Sequence, residues 1–109
     1  MEEVRRGDIW TVTLPAFPKP RPALVVSIDP INDLRPDVIV VPLTTHAGPL
    51  RVSLPDDPKT GLRVASFAKC ETVGPLHKSQ LKTRIGRLPV AAWPSIEGGL
   101  ARVLGIRQR

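Results

Sequence analysis

The chain contains a single cysteine, Cys70, and only two histidines in its 109 residues. One cysteine cannot form an intrachain disulfide, and it cannot supply the paired thiolates of the usual zinc sites. The carboxylates Asp56 and Asp57 lie in a predicted turn and alone make a poor divalent-metal site. We therefore expect no metal and no cofactor. We interpret Cys70 as a small buried residue rather than as a nucleophile.

Long apolar runs and aromatic residues are also scarce. No apolar run approaches the roughly 20 residues that span a bilayer. Residues 1–10 begin with acids and have no apolar stretch behind their arginines, so they do not resemble a secretory signal. We therefore expect a cytoplasmic protein with no membrane partner. The aromatic residues are Trp10, Phe17, Phe67 and Trp93.

The net charge of +6 is unevenly distributed along the chain. Residues 1–62 contain 7 Lys/Arg and 8 Asp/Glu, whereas residues 63–109 contain 9 Lys/Arg and 2 Asp/Glu. A basic half of this kind is typical of chains that bind a polyanion, such as nucleic acid, or an acidic protein. The alternative interpretation is a solvated basic surface that keeps a small protein in solution.

The 13 prolines, about twice the usual frequency, separate short apolar runs and so favour a mainly β domain. Alternating or β-branched runs predict strands at 8–14, 23–28, 38–43, 50–54, 64–69, 71–76 and 84–88. The segment 15–22 is predicted to be a loop, because its prolines remove amide donors and cannot pair in a central strand. Residues 29–37 are predicted to form a turn.

Near the C-terminus the apolar pattern changes to helical spacing. Apolar residues recur at this spacing from Val90 to Leu104, and Gly105 is suited to cap the helix end. Pro94 and the pair Gly98-Gly99 predict an irregular start. The predicted fold is one domain over residues 1–109, mainly β (α+β). It is an SH3-like small β-barrel of six to seven strands with a C-terminal α-helix.

A series of short motifs runs along the chain. The motifs are Arg6-Gly7-Asp8-Ile9-Trp10, Arg21-Pro22-Ala23-Leu24-Val25-Val26, Val40-Val41-Pro42-Leu43-Thr44-Thr45, Thr60-Gly61-Leu62, Lys78-Ser79 and Ile85-Gly86-Arg87-Leu88. No single motif is specific. In this order and spacing, over roughly residues 5–106, they resemble the MazF/PemK-like toxins of type II toxin–antitoxin systems.

The resemblance implies an SH3-like barrel that dimerises and cuts single-stranded RNA at short sequence motifs. It implies cleavage without a metal, leaving 2′,3′-cyclic phosphate and 5′-hydroxyl ends. The family's catalytic arginine falls on Arg21, and its catalytic threonine falls on Thr44. An acidic antitoxin normally places its tail in the RNA groove of the family. The implied partners are therefore single-stranded RNA, an acidic antitoxin and a second copy of the chain.

The chemistry of RNA cleavage suits these two side chains. When the 2′-hydroxyl attacks the adjacent phosphorus, protons must move and extra negative charge must be stabilised. Arg21 offers a bidentate cationic fork to the phosphate, and Thr44 offers a hydroxyl donor. Proton transfer by Arg21 is chemically awkward, because arginine stays protonated in proteins. Without the resemblance, Arg21 would be interpreted as a solvated charge and Thr44 as an ordinary strand residue.

Other residues are predicted to contact the substrate. His46 would share the face of Thr44 in an extended segment, and imidazole suits acid–base work, although a surface loop histidine is the simpler interpretation. Phe17 is predicted either to stack on a base or to anchor its loop. Glu71 aligns with an acidic family position that can read a base edge. The remaining predicted contacts are Lys19, Thr45, Ser66, Lys69 and Lys78.

Two segments depart from the family pattern, and two other functions stay open. Residues 15–20 are shorter and richer in proline than the usual loop, with no acid before Arg21. Val73-Gly74-Pro75-Leu76-His77 stands where many relatives have Ile-Arg-Thr-Val-Asp. Both departures concern recognition of the RNA more than the fold. The alternatives are a non-catalytic toxin of this fold that acts by protein binding, as DNA gyrase poisons do, and an RNA-binding module.

Overall fold

A computed structural model describes residues 3–108, and of Phe17 it describes only the backbone. Over these residues the chain forms β1 (Asp8–Leu14), β2 (Phe17–Val25), α1 (Asp29–Leu34), β3 (Asp37–Thr44), β4 (Val52–Ser53), β5 (Phe67–Ala68), β6 (Gly74–His77), β7 (Leu81–Arg87) and α2 (Trp93–Leu104). Single 3₁₀ turns occupy Pro58–Thr60, Cys70–Thr72, Lys78–Gln80 and Val90–Ala92. Neither helix has the length and apolar character needed to cross a lipid bilayer.

The strands form one antiparallel sheet in the order β4-β5-β3-β2-β1-β7, and β6 also pairs with β3. β5 and β6 lie along the same edge of β3, separated by the turn Cys70–Thr72. The prediction of a mainly β, SH3-like fold with a C-terminal helix is confirmed. Within residues 3–108 the pairing ends at β4 and β7 and does not close into a ring.

Because side chains alternate along a strand, the sheet buries apolar residues on both faces. One cluster packs between the sheet and α2, and its members include Ile9, Leu24, Val41, Leu43 and Ile96. The second cluster lies on the other face and includes Trp10, Val12, Ala23, Val25, Val38, Val40, Leu76 and Leu81. By the same alternation, Arg21 and Thr44 belong to the second face.

The prediction that residues 15–22 form a loop is wrong, because β2 begins at Phe17. β2 pairs with β1 along this segment, with Arg21 opposite Val12 and Pro22 opposite Thr11. Backbone N–H groups alternate between the two edges of a strand, so prolines two residues apart remove donors from one edge only. Pro18 and Pro20 lie two and four residues before Pro22. The intervening residues keep their donors for β1.

The predicted turn at 29–37 is also partly wrong, since residues Asp29–Leu34 form the short helix α1. The buried side chain of Asn32 holds this helix, because its Nδ2 donates to the Ser27 carbonyl at 3.0 Å and to Asp29 Oδ1 at 3.2 Å. The strand predicted at 84–88 begins earlier, at Leu81. The strands predicted at 50–54 and 64–69 are shorter, because β4 and β5 pair over only two residues each.

The C-terminal helix is confirmed, and it begins after the turn at Val90–Ala92. Gly105 caps its end with φ 69°, and its N–H bonds back to the Ala101 and Arg102 carbonyls. Trp93 is half-buried against the first cluster, and the Arg6 guanidinium lies 3.7 Å from its ring centroid. Trp10 on β1 is 4% exposed and packs in the second cluster.

Replacing the two adjacent glycines of α2 by alanine, one at a time, is expected to have opposite effects on the stability of the fold. A Cβ at Gly98 would meet only the ends of flexible side chains, the nearest at 3.6 Å, so Gly98→Ala should stabilise the fold by about 0.5–1 kcal/mol. A Cβ at Gly99 would lie 2.6 Å from Val52 Cγ2 and 2.9 Å from Cys70 Sγ. Gly99→Ala should therefore destabilise it by about 1–3 kcal/mol. Urea unfolding of both variants measures the difference, and equal midpoints would contradict the packing of α2.

Candidate functional site

The site begins where β2 and β3 separate. They pair at Val25 with Val40, at Leu24 with Val41 and at Ala23 with Pro42, but not beyond this last pair. Proline at position 22 has no N–H to donate across to β3, so one of the two hydrogen bonds of the next rung cannot form. Continuing the register by two residues places Arg21 opposite Thr44. The two predicted catalytic residues therefore face each other across the opening between two strands, on the same face of the sheet.

A wide groove of about 990 Å³ occupies this opening. Six of the predicted site residues line it, namely Arg21, Thr44, Thr45, His46, Ser66 and Lys69. The sequence analysis missed several other lining residues, namely Thr11, Leu14, Pro22, Pro42, Leu43, Gly61, Leu62, Arg63, Val64, Thr72 and Ile85. Of these, Arg63 is the one cation, and it belongs to the basic half of the chain.

The groove is cationic. Arg21, Arg63 and Lys69 line it, and none of the described residues along its wall is acidic. Three cations and no carboxylate on one concave surface attract anions, and the field is stronger in a groove than on an open surface. The arrangement suits a polyanion better than a neutral ligand.

The Thr44 hydroxyl is oriented by its own loop. The backbone N–H of His46 donates to Thr44 Oγ1 at 3.2 Å. A hydroxyl oxygen that accepts such a bond still carries a proton that it can donate to another acceptor. His46 Nδ1 lies 3.5 Å from Thr45 Oγ1, and both side chains are exposed at the groove. The Thr44 hydroxyl therefore keeps a proton available for an acceptor in the groove.

Ser66 contributes to the groove through its turn. It is 5% exposed, and its hydroxyl donates to the Val64 carbonyl at 2.9 Å. Its backbone carbonyl accepts from the Leu54 N–H at 3.0 Å. These bonds hold the segment 61–66, which forms one wall of the groove. Ser66 therefore lines the groove and also stabilises its wall.

Three predicted contacts lie outside the groove wall. Lys19 is exposed on β2, and Lys78 lies in the turn after β6, where its backbone N–H donates to the Pro36 carbonyl at 2.9 Å. Glu71 lies in the turn after β5, and its Oε2 accepts from Arg51 Nε at 3.1 Å. A bond from its own backbone N–H, then one from Arg51, lower the pKa of Glu71. The Phe17 side chain, predicted to stack or to anchor a loop, lies outside the described residues.

A smaller cavity of about 180 Å³ adjoins the groove at Arg21. Apolar residues line most of it, among them Val12, Leu14, Pro22, Ala23, Val40, Pro42, Pro75 and Leu76. Its wall includes Gly74 and Pro75, in the segment that departs from the family pattern. The cavity therefore offers an apolar surface directly beside a cation.

The side chains that usually bind metals are dispersed. Within residues 3–108, no group of three or more His, Cys, Asp or Glu side chains is arranged to hold a metal ion. Cys70 is buried, as predicted, beneath Gly99 of α2, and its burial raises the pKa of the thiol.

Comparison with known proteins identifies the family. Residues 5–104 match the PemK-like, MazF-like toxins of type II toxin–antitoxin systems. The chain is similar, at 27% identity and a TM-score of 0.84 over 100% of both chains, to an endoribonuclease in complex with its cognate antitoxin from a mycobacterial species. An endoribonuclease from a mycobacterial species matches with a TM-score of 0.82 at 27% identity, over 100% of this chain and 98% of that one.

The same fold occurs in MazE-MazF from Deinococcus radiodurans, with a TM-score of 0.80 at 20% identity, over 98% of this chain and 100% of that one. At this identity the likeness concerns the fold alone. The family match spans both strands that carry Arg21 and Thr44, and it reaches the last residue of α2. The chain therefore belongs to the PemK-like, MazF-like toxins of type II toxin–antitoxin systems.

Proposed function

We propose that this toxin is a sequence-specific endoribonuclease that cleaves single-stranded RNA without a metal ion. The observation that carries the proposal is that Arg21 and Thr44 face each other across one cationic groove with no acidic residue on its described wall. The similarity at 27% identity to two solved structures of mycobacterial endoribonuclease supports the same activity. We propose one domain over residues 1–109 and a cytoplasmic site of action, where the RNA substrate is found.

In the proposed reaction, the 2′-hydroxyl oxygen of one nucleotide forms a bond to the adjacent phosphorus. The bond from phosphorus to the 5′-oxygen of the next nucleotide breaks. The proton of the 2′-hydroxyl leaves, and a proton is delivered to the 5′-oxygen. The products are a 2′,3′-cyclic phosphate and a 5′-hydroxyl, and no water is consumed in this step. The enzyme must stabilise the extra charge on the non-bridging oxygens at the transition state.

Arg21 and Thr44 both stabilise the charge on the non-bridging oxygens. The Arg21 guanidinium donates two parallel hydrogen bonds to the phosphate oxygens, and the Thr44 hydroxyl donates one more. Lys69 and Arg63 of the groove wall bind neighbouring phosphates and so hold the strand in register. His46 and Arg21 are the groove residues proposed for proton transfer. Imidazole is the better suited, because an arginine normally keeps its proton.

Recognition of the bases is assigned to the walls of the groove and to the adjoining apolar cavity. Single-stranded RNA exposes base faces that stack on flat surfaces. The prolines at positions 22, 42 and 75 present such surfaces beside Arg21. Thr45 and the backbone around Gly74 supply polar groups for the edges of the bases. Phe17, Lys19 and Lys78 are further predicted contacts that remain proposals.

The proposed partners are an acidic antitoxin and a second copy of the chain. An acidic tail would compete with RNA for the same cationic groove, which explains neutralisation by charge complementarity. One solved relative is described in complex with its cognate antitoxin. Exposed apolar side chains at the ends of α2 and its preceding turn support a homodimer. They are Val90, Leu104 and Ile106, which are 85%, 59% and 59% exposed.

The proposal is tested by incubating purified protein, freed of any antitoxin, with a mixed-sequence RNA in EDTA. We expect cleavage at defined sites at the same rate with EDTA as with Mg²⁺. The fragments should accept a phosphate at their 5′ ends from a polynucleotide kinase, because those ends are hydroxyls. DNA of the same sequence is the matched control and should stay intact, because it lacks the attacking 2′-hydroxyl.

Three outcomes would overturn the proposal. Cleavage that stops in EDTA and resumes with Mg²⁺ would show a metal-dependent nuclease. Fragments with 5′-phosphate ends would show attack by water rather than by the 2′-hydroxyl. Intact RNA in both buffers would favour the two alternatives, which binding assays separate. Salt-dependent RNA binding would favour the RNA-binding module, and inhibition of DNA gyrase would favour the protein-binding toxin.

A further inference from the structure

Arg51 links two segments that border the groove. Its Nη1 donates to the backbone carbonyl of His46 at 2.8 Å, and its Nε donates to Glu71 Oε2 at 3.1 Å. The guanidinium is planar and its donors keep a fixed geometry, so both bonds together restrain where the His46 carbonyl lies. The arginine and the glutamate side chains are 20% and 30% exposed, and neither residue lines the groove.

The peptide groups of His46 connect this pair to Thr44. The His46 carbonyl accepts from Arg51, and its N–H donates to Thr44 Oγ1 at 3.2 Å. A displacement of residue 46 would therefore move the donor that orients the Thr44 hydroxyl. In the proposed reaction, that hydroxyl must point at a non-bridging oxygen of the phosphate.

The loop that carries His46 has a costly backbone conformation. Leu50 has φ 66°, the only positive φ among non-glycine residues in the described part of the chain. Such a conformation in a bulky residue persists only where the surroundings hold it. The Arg51 N–H bonds to the Gly48 carbonyl at 3.3 Å, and the Arg51 side chain packs over Gly48 so closely that a Cβ there would lie 3.3 Å from its Cδ. Arg51 is therefore the residue that holds the loop closed.

We propose that Arg51 and Glu71 are positioning residues, which fix the backbone of His46 and through it aim the Thr44 hydroxyl. This inference rests on the proposed ribonuclease activity. It assigns Glu71 a role different from the base-reading contact predicted from the sequence. Glu71 holds Arg51, and Arg51 holds the loop, so neither side chain needs to touch the RNA.

The test compares Arg51→Met, Glu71→Gln and the double variant. Methionine keeps an aliphatic stem over Gly48 and removes every donor. Glutamine keeps an oxygen that accepts from Arg51 but removes its charge. Glu97→Gln is the matched control, because Glu97 is also paired with an arginine, at 3.5 Å from Arg6 Nη2, and lies on α2 outside the groove wall.

We expect Arg51→Met to lower kcat about tenfold to hundredfold, because small misplacements at a site cost this much. KM should change little, since the phosphate-binding cations remain. Glu71→Gln should lower kcat less. In the Arg51→Met background it should have no further effect, because residues that act through one another are not additive. Arg51→Lys should rescue only part of kcat, since one ammonium cannot reproduce the fork.

Three kinetic results would overturn the inference. A raised KM with unchanged kcat in Glu71→Gln would show that Glu71 contacts the RNA directly. Effects of the two substitutions that multiply in the double variant would show that they act independently. An equal loss of kcat in Glu97→Gln would likewise overturn it, because the effect would then not depend on the contact with His46.

Hydrogen exchange separates this inference from the ribonuclease proposal. We expect the amide of His46 to exchange faster in Arg51→Met than in the wild type or in Glu97→Gln. This readout does not require RNA or activity. Unchanged exchange in Arg51→Met would overturn the positioning role, even if the wild type cleaves RNA. Faster exchange in Arg51→Met, together with a wild type that cleaves no RNA, would reject only the ribonuclease proposal.

Discussion

Replacing Arg21 by alanine is expected to lower kcat for RNA cleavage about a thousandfold, because single charge-stabilising donors in active sites contribute on this scale. Arg21 is exposed at the mouth of the groove, so its removal should leave the core intact. The lost interaction is one that strengthens as charge develops on the phosphate. The effect should therefore be larger on kcat than on KM. Single-turnover cleavage of a labelled RNA measures it.

Two variants distinguish the role of Arg21 from a general effect of charge. Arg21→Lys should recover only part of the rate, because an ammonium cannot form the bidentate contact. Arg35→Ala is the matched control, since it removes an exposed arginine at the end of α1, outside the groove wall. Thr44→Val should lower kcat about tenfold to hundredfold while preserving the shape of the strand end. If Arg21→Ala cleaves as fast as Arg35→Ala, the assigned site is wrong.

Gly86→Ala is expected to have the largest effect on stability, a loss of about 4 kcal/mol or more. A Cβ at Gly86 would lie 2.3 Å from the carbonyl carbon and oxygen of Thr60, and 2.4 Å from the Lys59 oxygen. These are backbone atoms, so no flexible side chain can move aside. The turn Pro58–Thr60 would therefore have to move away from β7. The groove wall, which the residues after this turn form, would then be lost.

Urea unfolding followed by circular dichroism measures this effect, with Gly98→Ala as the control that should gain stability. Gly61→Ala should resemble Gly86→Ala, because its Cβ would lie 2.0 Å from the Ile85 oxygen and its φ is 71°. Gly61 and Gly86 thus allow the turn and β7 to approach backbone to backbone. A Gly86→Ala protein as stable as the wild type would show that this close approach does not exist.

Much of the fold was predictable from local patterns. The alternation in residues 8–14 predicts β1, and the helical spacing from Val90 to Leu104 predicts α2 with its cap at Gly105. The error at residues 15–22 has a clear cause. Missing amide donors predict a loop that cannot pair in a central strand, but prolines at every second position remove donors from only one edge of a strand. The other edge still pairs with β1.

The candidate site was predictable in part. The resemblance pointed to Arg21 and Thr44, and the structure brings both to one groove with Lys69 and His46. Arg63 was missed because nothing in its local sequence distinguishes it from other basic residues. Glu71 is predicted from the resemblance to contact a base edge, and the structure shows it paired with Arg51. The sequence alone does not distinguish these two roles.

The sequence by itself determined the class of fold, the basic half of the chain and the family, because these depend on composition, local periodicity and the order of short motifs. The register between β2 and β3 and the contact between Arg51 and Glu71 were decided by the tertiary structure alone. Both depend on contacts between residues far apart in the chain, which no local pattern encodes. The absence of an N–H at Pro22 is visible in the sequence. Only the folded sheet shows that this absence opens the groove between Arg21 and Thr44.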